Sequence, residues 1–484
     1  MKLPWDRVLR LAWPVLLQQW LVLAVALSDR LLAGRFQSDL PTTNQSATQA
    51  AQTTAYYLSW FLSSAAVLVN SGAAAVVAHR IGANKPEQAN QILHQSILLA
   101  MGVGFVLAIS FTVTLVPFLH LLQLEAETVH YASRYLLAQL PALPLHLVAA
   151  AGIACLAGAG DTRTGMWIFG GEAVINLPLA WAGFWLLGFP GIAAGTAVAQ
   201  ALGGLAVIWL LWRGRAGLRL RWEKLRPDST LIREMFGISI PSALDSLSTQ
   251  AGHLFFLAQV NTLGTPAAAA HGIALGWEAM GYLTGAAFGT AALTLVGQAR
   301  GAGRPDEAAR AGWTALGLGA VAMSCMGVLF YTLAEPMFLL FCPYETQRTI
   351  VEQGVPVLRL VAFGMPALAA SMILVQALRG AADARAPLVF TWLGFFGVRI
   401  PLTFALIHYG WGLWGAWLAM NIDMHVRGLC LILRWASGAW QRRIMAPSTL
   451  AATQLKPMPP VWTDGLGEQQ ANQDTEVKGR RLDG

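Results

Sequence analysis

About twelve stretches of this chain stay apolar for roughly 20 residues, the length a helix needs to cross the hydrocarbon of a bilayer. They extend approximately over Leu11 to Gly34, Ala55 to Ala78, Ile92 to Phe118, Tyr135 to Leu156, Met166 to Leu187, Ile192 to Trp212, Phe236 to Val260, His271 to Val296, Trp313 to Leu333, Val357 to Leu378, Leu388 to Ile407 and Leu413 to Leu433. Glycine, proline or charge separates each run from the next. Only 12% of the residues are charged and the mean hydropathy is +0.53, too apolar for a water-exposed surface of this size. Lipid is the implied solvent. Many of the 19 tryptophans stand near the ends of the runs, where amphipathic rings favour the membrane interface.

The net charge of +7 is therefore no nucleic-acid footprint, and its placement in loops carries the information. Lys2, Arg7 and Arg10, then Arg80/Lys85, Arg163, Arg213 to Arg233, Arg300/Arg304/Arg310, Arg379/Arg385 and Arg442/Arg443 mark alternate loops as basic. The loops between them, near Gln123, Phe189, Thr262 and Tyr409, carry almost no Lys or Arg; the exceptions to the alternation are Arg35 and Arg348. Cytoplasmic loops are enriched in positive charge, so both termini are expected in the cytoplasm of a multi-pass protein, of the bacterial inner membrane. The first apolar run carries Asp29 and Arg30 and reads as a span, with no cleavable signal peptide expected. Cys155, Cys325, Cys342 and Cys430 are far apart and form no metal-ligand spacing, so they read as free packing thiols and no metal is expected.

The chain also repeats itself. Ala78-His-Arg-Ile-Gly-Ala-Asn-Lys-Pro-Glu-Gln-Ala89 returns as Gly297-Gln-Ala-Arg-Gly-Ala-Gly-Arg-Pro-Asp-Glu-Ala308, and Leu156-Ala-Gly-Ala-Gly-Asp-Thr-Arg163 as Leu378-Arg-Gly-Ala-Ala-Asp-Ala-Arg385. Asn176-Leu-Pro-Leu179 returns as Arg399-Ile-Pro-Leu402, and Trp13-Pro14 as Ile240-Pro241. Four pairs in one order, roughly 220 to 227 residues apart, mark a duplication. Each copy holds an even number of spans, so the copies share one orientation and an axis along the membrane normal, with a binding cavity between them.

The expected organisation is an amino-terminal six-helix bundle (1–212), a basic cytoplasmic linker (213–235), a carboxy-terminal six-helix bundle (236–440) and a disordered cytoplasmic tail (441–484). The linker's charge also suits contact with anionic lipid. Architecture explains the repeated loops: Gly82 and Gly301 permit a tight turn, and Pro86 and Pro305 fit the first turn of the next helix. Gly158 with Asp161, and Gly380 with Asp383, are expected to do the same at the other basic loop.

Together these features resemble the multidrug and toxic compound extrusion (MATE) family. The likeness rests on Pro14 followed by Asp29, the Gly-Ala-x-x-Pro and Gly-x-x-Asp loops of both halves, Asn176-Leu-Pro-Leu and Arg399-Ile-Pro-Leu, and it runs from about Leu9 to Trp440. The resemblance implies twelve helices in two bundles around a central cleft that opens alternately to either side. It also implies export of organic, often cationic or amphipathic compounds in exchange for H⁺ or Na⁺. The wider superfamily, which includes exporters of lipid-linked oligosaccharides and polysaccharides, keeps a lipid-linked precursor flippase as the alternative.

Ionisable groups inside a span are costly and mark function by default. Asp29 leads, since the resemblance associates an acid at this place with cation coupling; the plain alternative is an ion pair with Arg30. Asn176 and Glu172 share a face of the fifth helix, being four residues apart. Where many family members have a second polar residue after the asparagine this chain has Ala180, so Glu172 is weighed as a replacement carboxylate. Gln18, Asn70, Asp245 and Glu278 are candidates for the substrate cavity, with interhelical pairing as the plain alternative. The family's Na⁺ version uses acids of the seventh and tenth helices. The tenth run has no Asp or Glu, which favours H⁺ over Na⁺. Asp423, His425 and Arg427 read as a structural cluster.

A flippase for pyrophosphate-bearing lipids would place arginines in the cleft, and Arg134, Arg359 and Arg399 alone lie near enough to spans. An enzyme needs a nucleophile with its base, or a metal cluster, and no such constellation occurs. Nor is there a phosphate-binding loop for ATP. The expected partners are small organic substrates and membrane lipid, with no cofactor, no nucleic acid and no ATP, and the expected working unit is a monomer.

Overall fold

The computed structural model describes residues 4–38, 51–52, 54–55, 58–59, 61–62, 64–121, 124–221, 223 and 225–442. All of the expected tail but its first two residues, and the side chain of Arg30 with its possible ion pair to Asp29, lie outside them.

The twelve apolar runs are met by twelve helices or helical pairs. In the first half these are α1 (Pro4–Ser38), α2 (Val67–Gly82), α3 (Pro86–Leu121), α4 (Ala126–Ala159), α5 (Thr162–Leu187) and α6 (Phe189–Arg213). The second half has α7 (Ser229–Asn261), α8 (Thr265–Gly301), α9 (Pro305–Thr332), α10 (Arg348–Gly380), α11 (Arg385–His408) and α12 (Gly412–Ala436). Among the described residues, nine helices are by themselves long and apolar enough to cross a membrane. The other three are α2, described over 16 residues, α5 with Glu172 and Asn176, and α7 with its serines and Asp245.

Prolines explain the irregular spans. Pro141 tightens α4 into a 3₁₀ turn at Leu140–Ala142. In α11, Pro401 cannot donate to the preceding turn, and the helix widens into a π stretch at Leu393–Arg399. Pro86 and Pro305 open α3 and α9 as expected, with Glu87 and with Asp306 and Glu307 at the positive end of each helix.

The repeated glycines do a different job from the one expected. Gly82 and Gly301 end their helices, but the left-handed turn residues are Asn84 (φ 57°) and Gly303 (φ 70°). Gly82 lies on the carbonyl of Gln298, and Gly301 lies on the carbonyl of His79, leaving no room for a side chain at either. The two glycines are thus a reciprocal crossing of α2 and α8 on the duplication axis. Likewise Gly158 packs on Ala74 and Gly380 on Leu293, so these are close helix approaches in each half; the turn is made by Gly160 (φ 98°) and Ala382 (φ 65°). Asp161 caps α5 as expected, accepting the Thr164 N–H at 3.0 Å. Asp383 does not repeat this: it is buried and takes two hydrogen bonds from Arg434 of α12, at 2.9 and 2.7 Å.

Contacts between the halves gather at the end bearing the basic loops. Val8, Leu11 and Ala12 of α1 enter the apolar core of the second half. The Gly72 N–H meets Ser239 Oγ at 3.0 Å, Thr294 Oγ1 donates to the Ala157 carbonyl at 2.9 Å, and Gln298 Nε2 to the Gly158 carbonyl at 3.0 Å. Arg80 of α2 holds both carboxylate oxygens of Glu234 of α7. The basic linker is strapped along α3: the N–H groups of Arg219, Arg221 and Asp228 donate to Asn90, His94 and Gln95, and Gln95 donates to the Arg226 carbonyl. These contacts hold the two halves together and seal this end.

Candidate functional site

Small residues bring α5 and α6 together. Gly183 and Gly191 lie backbone to backbone, and Gly195 packs against the backbone of Leu179 and Ala180. This approach lets Asn176 of α5 reach Thr196 of α6: the Asn176 amide donates to Thr196 Oγ1 at 2.9 Å. The Thr196 hydroxyl in turn lies 2.9 Å from Asp29 Oδ2 of α1 and 3.2 Å from the Ile192 carbonyl. Three helices therefore converge on one hydroxyl. Asp29, Asn176 and Thr196 are all buried, at 9%, 0% and 6% exposure, within an apolar cluster that includes Leu32, Tyr135, Ala180, Ile192 and Ala193. Asp29 Oδ1 and Asn176 Oδ1 are buried with no hydrogen-bond partner among the described residues.

Thr196 escaped the sequence reading. Its signal was the Gly191-x-x-x-Gly195 spacing that draws its helix onto the Asn-Leu-Pro-Leu helix. The same approach accounts for Ala180, which is fully buried against Gly195. Glu172 is not joined to this set; its carboxylate faces Gly203 of α6, where a β-carbon would lie 2.9 Å from Oε2. Gln18 faces Gly165 near the basic end of α5, and Asn70 of α2 has a buried Oδ1 with no hydrogen-bond partner among the described residues, so neither joins Asp29 there.

The second half treats its acids differently. Asp245 accepts from Arg379 Nη2 at 2.7 Å, both groups buried, so the structure resolves this cavity candidate as an ion pair. Asp423 is shared by Arg399, at 2.8 Å, and Arg427, at 2.8 and 3.0 Å. His425 turns away and sits 2.8 Å from the Asn421 carbonyl, so Arg399 takes the place the sequence gave to His425. Arg399 is fully buried against the face of Phe395, 4.2 Å from the ring centre, and is no cleft arginine. Glu278 is 1% exposed, within electrostatic reach of Arg399 and Arg427. No group of three or more His, Cys, Asp or Glu suited to a metal occurs among the described residues.

The chain matches the MatE family model twice, over residues 14–182 and 241–405, the two copies of the duplication. It is 26% identical over 399 residues to a probable multidrug resistance protein NorM of Thermotoga maritima, covering 79% of this chain and 83% of that one. A solved MOP superfamily transporter from Pyrococcus furiosus shares the fold with TM-score 0.84 at 18% identity, covering 91% of this chain and 97% of that one. An outward-facing multidrug resistance MATE family transporter superposes with TM-score 0.82 at 18% identity, over 90% and 96%. The repeated match across both six-helix halves makes this chain a member of the MatE family and a multi-pass membrane transporter, not an enzyme.

Proposed function

We propose that the protein is a secondary active antiporter that exports organic, cationic or amphipathic compounds from a bacterial cell in exchange for H⁺, with both termini cytoplasmic. The efflux reading is supported by the multidrug resistance names of its relatives, the NorM of Thermotoga maritima among them. The single observation that carries the coupling is the Asp29–Thr196–Asn176 chain of hydrogen bonds.

A hydroxyl has one proton to give and two lone pairs to receive with. When Asp29 is ionised, Thr196 donates to Oδ2 and Asn176 donates to Thr196. When Asp29 carries a proton, its O–H donates to the second lone pair of Thr196, whose own proton turns to the Ile192 carbonyl 3.2 Å away. Thr196 thus meets Asp29 Oδ2 in both protonation states without moving a helix. Proton binding inside lipid is otherwise opposed by the cost of an unmet polar group. Sodium finds less here: one carboxylate, an amide oxygen and a hydroxyl fall short of the oxygen shell that a hard cation takes. Asp245, the acid of the seventh helix, is committed to Arg379.

Alternating access follows from the sealed basic end: the substrate enters the cleft from the cytoplasm once the α2–α8 crossing parts, and leaves on the other side when it reforms. The test is uptake of labelled tetraphenylphosphonium into proteoliposomes under imposed pH or Na⁺ gradients. A pH step should drive transport, a Na⁺ step should not, and Asp29→Asn should abolish the response with insertion intact. Transport that follows Na⁺ alone, or survives Asp29→Asn, overturns the reading.

A further inference from the structure

The linker between the halves has a defined shape, and that shape turns its arginines outward. Arg215 and Leu218 exchange both backbone hydrogen bonds, at 2.8 Å each, around Ala216 and Gly217, which are left-handed at φ 52° and 77°. After this tight turn the Leu220 N–H returns to the Leu211 carbonyl at 2.8 Å, and Leu218 and Leu220 are buried. Side chains alternate along extended chain, so Arg219 and Arg221 point away from the two leucines and are exposed. Their backbone N–H groups are fixed to Asn90 and His94 of α3, at 2.6 and 2.9 Å.

A shallow pocket results, lined by Glu87, Asn90, Gln91 and His94 of α3 and by Arg219 and Arg221 of the linker. Glu87 sets one carboxylate against two guanidiniums, so the balance stays positive. The Arg219 stem also passes Gly214 at the end of α6, 3.8 Å from where a β-carbon would stand. Beside it Arg213 lies over the Trp209 ring, 4.1 Å from its centre. Arg213, Arg219, Arg221 and Arg226 are exposed and have no ion-pair partner among the described residues, whereas Arg215 is held by Asp161 at 2.9 Å.

Depth decides what these charges meet. Leu202, Leu205, Trp209 and Trp212 are exposed on α6 and lead up to Arg213. Tryptophan in this setting marks the level of the lipid headgroups. A ligand here finds guanidiniums at one end and an apolar strip at the other. Arginines clustered beside a span suit anionic headgroups, and a guanidinium fork matches two phosphate oxygens. A soluble protein or a nucleic acid would leave the strip of α6 unused. We propose that the pocket between the linker and the start of α3 binds the phosphate of an anionic phospholipid, with Arg219 and Arg221 as donors and the acyl chains along α6. The site shares no residue with the Asp29 region and does not rest on the coupling reading.

The experiment is native mass spectrometry of the purified full-length protein titrated with phosphatidylglycerol or with phosphatidylcholine of the same chains. The wild type should take up one phosphatidylglycerol well before any phosphatidylcholine. Arg219→Gln/Arg221→Gln should weaken that uptake about tenfold or more. Its thermal midpoint without lipid should match the wild type, because the backbone bonds that hold the linker remain. Arg310→Gln/Arg385→Gln removes the same charge from two other basic loops and should bind as the wild type does. Equal weakening in both double variants would mean a diffuse surface charge and overturn the site, as would equal uptake of the two lipids. An adduct of inorganic phosphate alone, lost in Arg219→Gln/Arg221→Gln, would make the ligand a soluble anion and overturn the lipid assignment.

Discussion

Arg80 on α2 and Glu234 on α7 form an ion pair across the two halves, with one guanidinium nitrogen 2.7 Å from each carboxylate oxygen. The same guanidinium holds Gln88 at 2.7 Å, which fixes its plane. Neither charge is much exposed, at 8% and 13% of the side chain, so water does little to replace the partner when one is removed. Breaking one side should cost the sealed state about 2–4 kcal/mol, toward the lower end of buried-pair losses. Glu234→Gln is therefore expected to open the basic end. Distances between spin labels near Lys85 and Arg304 should lengthen, and Arg80→Gln/Glu234→Gln should recover part of the closed population because no lone charge remains.

His79 lies beyond the apolar run that ends at Ala78, in the last turn of α2. Burial lowers its pKa to about 4, and Arg80, Arg300 and Lys85 add to the effect. Released from this crossing, an imidazole titrates near its ordinary 6.5. Between about pH 6.5 and 4 the parted state therefore binds a proton that the sealed state does not, and the sealed state loses stability as pH falls. Gln298 stands at the equivalent place in the second half and does not titrate. His79→Gln should flatten the pH dependence of the same spin-label distance over this window. A wild-type distance that does not change between pH 7 and 5 contradicts the argument.

Among the described residues, Thr196 is hydrogen-bonded to both Asp29 and Asn176. Thr196→Val keeps the shape and removes the hydroxyl, leaving the Asn176 amide and the Asp29 carboxylate without their shared partner. A lost hydrogen bond to a charged group is worth about 1.5–3 kcal/mol, so pH-driven transport should fall by roughly tenfold or more. Thr196→Ser retains the hydroxyl and should transport nearly as the wild type does. Equal loss in both variants would point to packing and not to the proton.

Much of this molecule is legible in its sequence, for reasons that differ from part to part. Span length is a local property, so the twelve runs can be read one at a time. The duplication is legible because turns must be rebuilt wherever a helix pair is copied; Pro86 and Pro305 show this. What could not be read is pairing across space. Gly82 looks like a turn residue until Gln298, more than two hundred positions away, is seen against it. Asp245 and Glu278 look alike as intramembrane acids, yet one is met by Arg379 and the other has no hydrogen bond at Oε2 among the described residues. Asp161 and Asp383 occupy matching places in the repeat, but only the position of Arg434 decides that Asp383 is a buried ion pair and no cap. At Asp161, burial raises the carboxyl while the bonds from Thr164 and Arg215 outweigh it and hold it below the usual carboxylate range.

The two copies of that loop also allow a test of backbone strain within one chain. Gly160 turns the first at φ 98°, and Ala382 turns the second at φ 65°, in the left-handed region where a β-carbon meets the following carbonyl. An alanine there costs about 1–2 kcal/mol, whereas a glycine returns about 0.5–1 kcal/mol of that through its freer unfolded chain. The balance favours glycine by up to about 1 kcal/mol. Ala382→Gly is thus expected to raise the thermal unfolding midpoint of the purified protein by about 1–2 °C, as a gain of this size does in a large domain. Gly160→Ala should lower it by a similar amount, since its β-carbon would take the same left-handed strain while meeting Gln298 Nε2 only at ordinary van der Waals distance. A lower midpoint for Ala382→Gly would mean that the methyl group of Ala382 packs for more than its backbone costs.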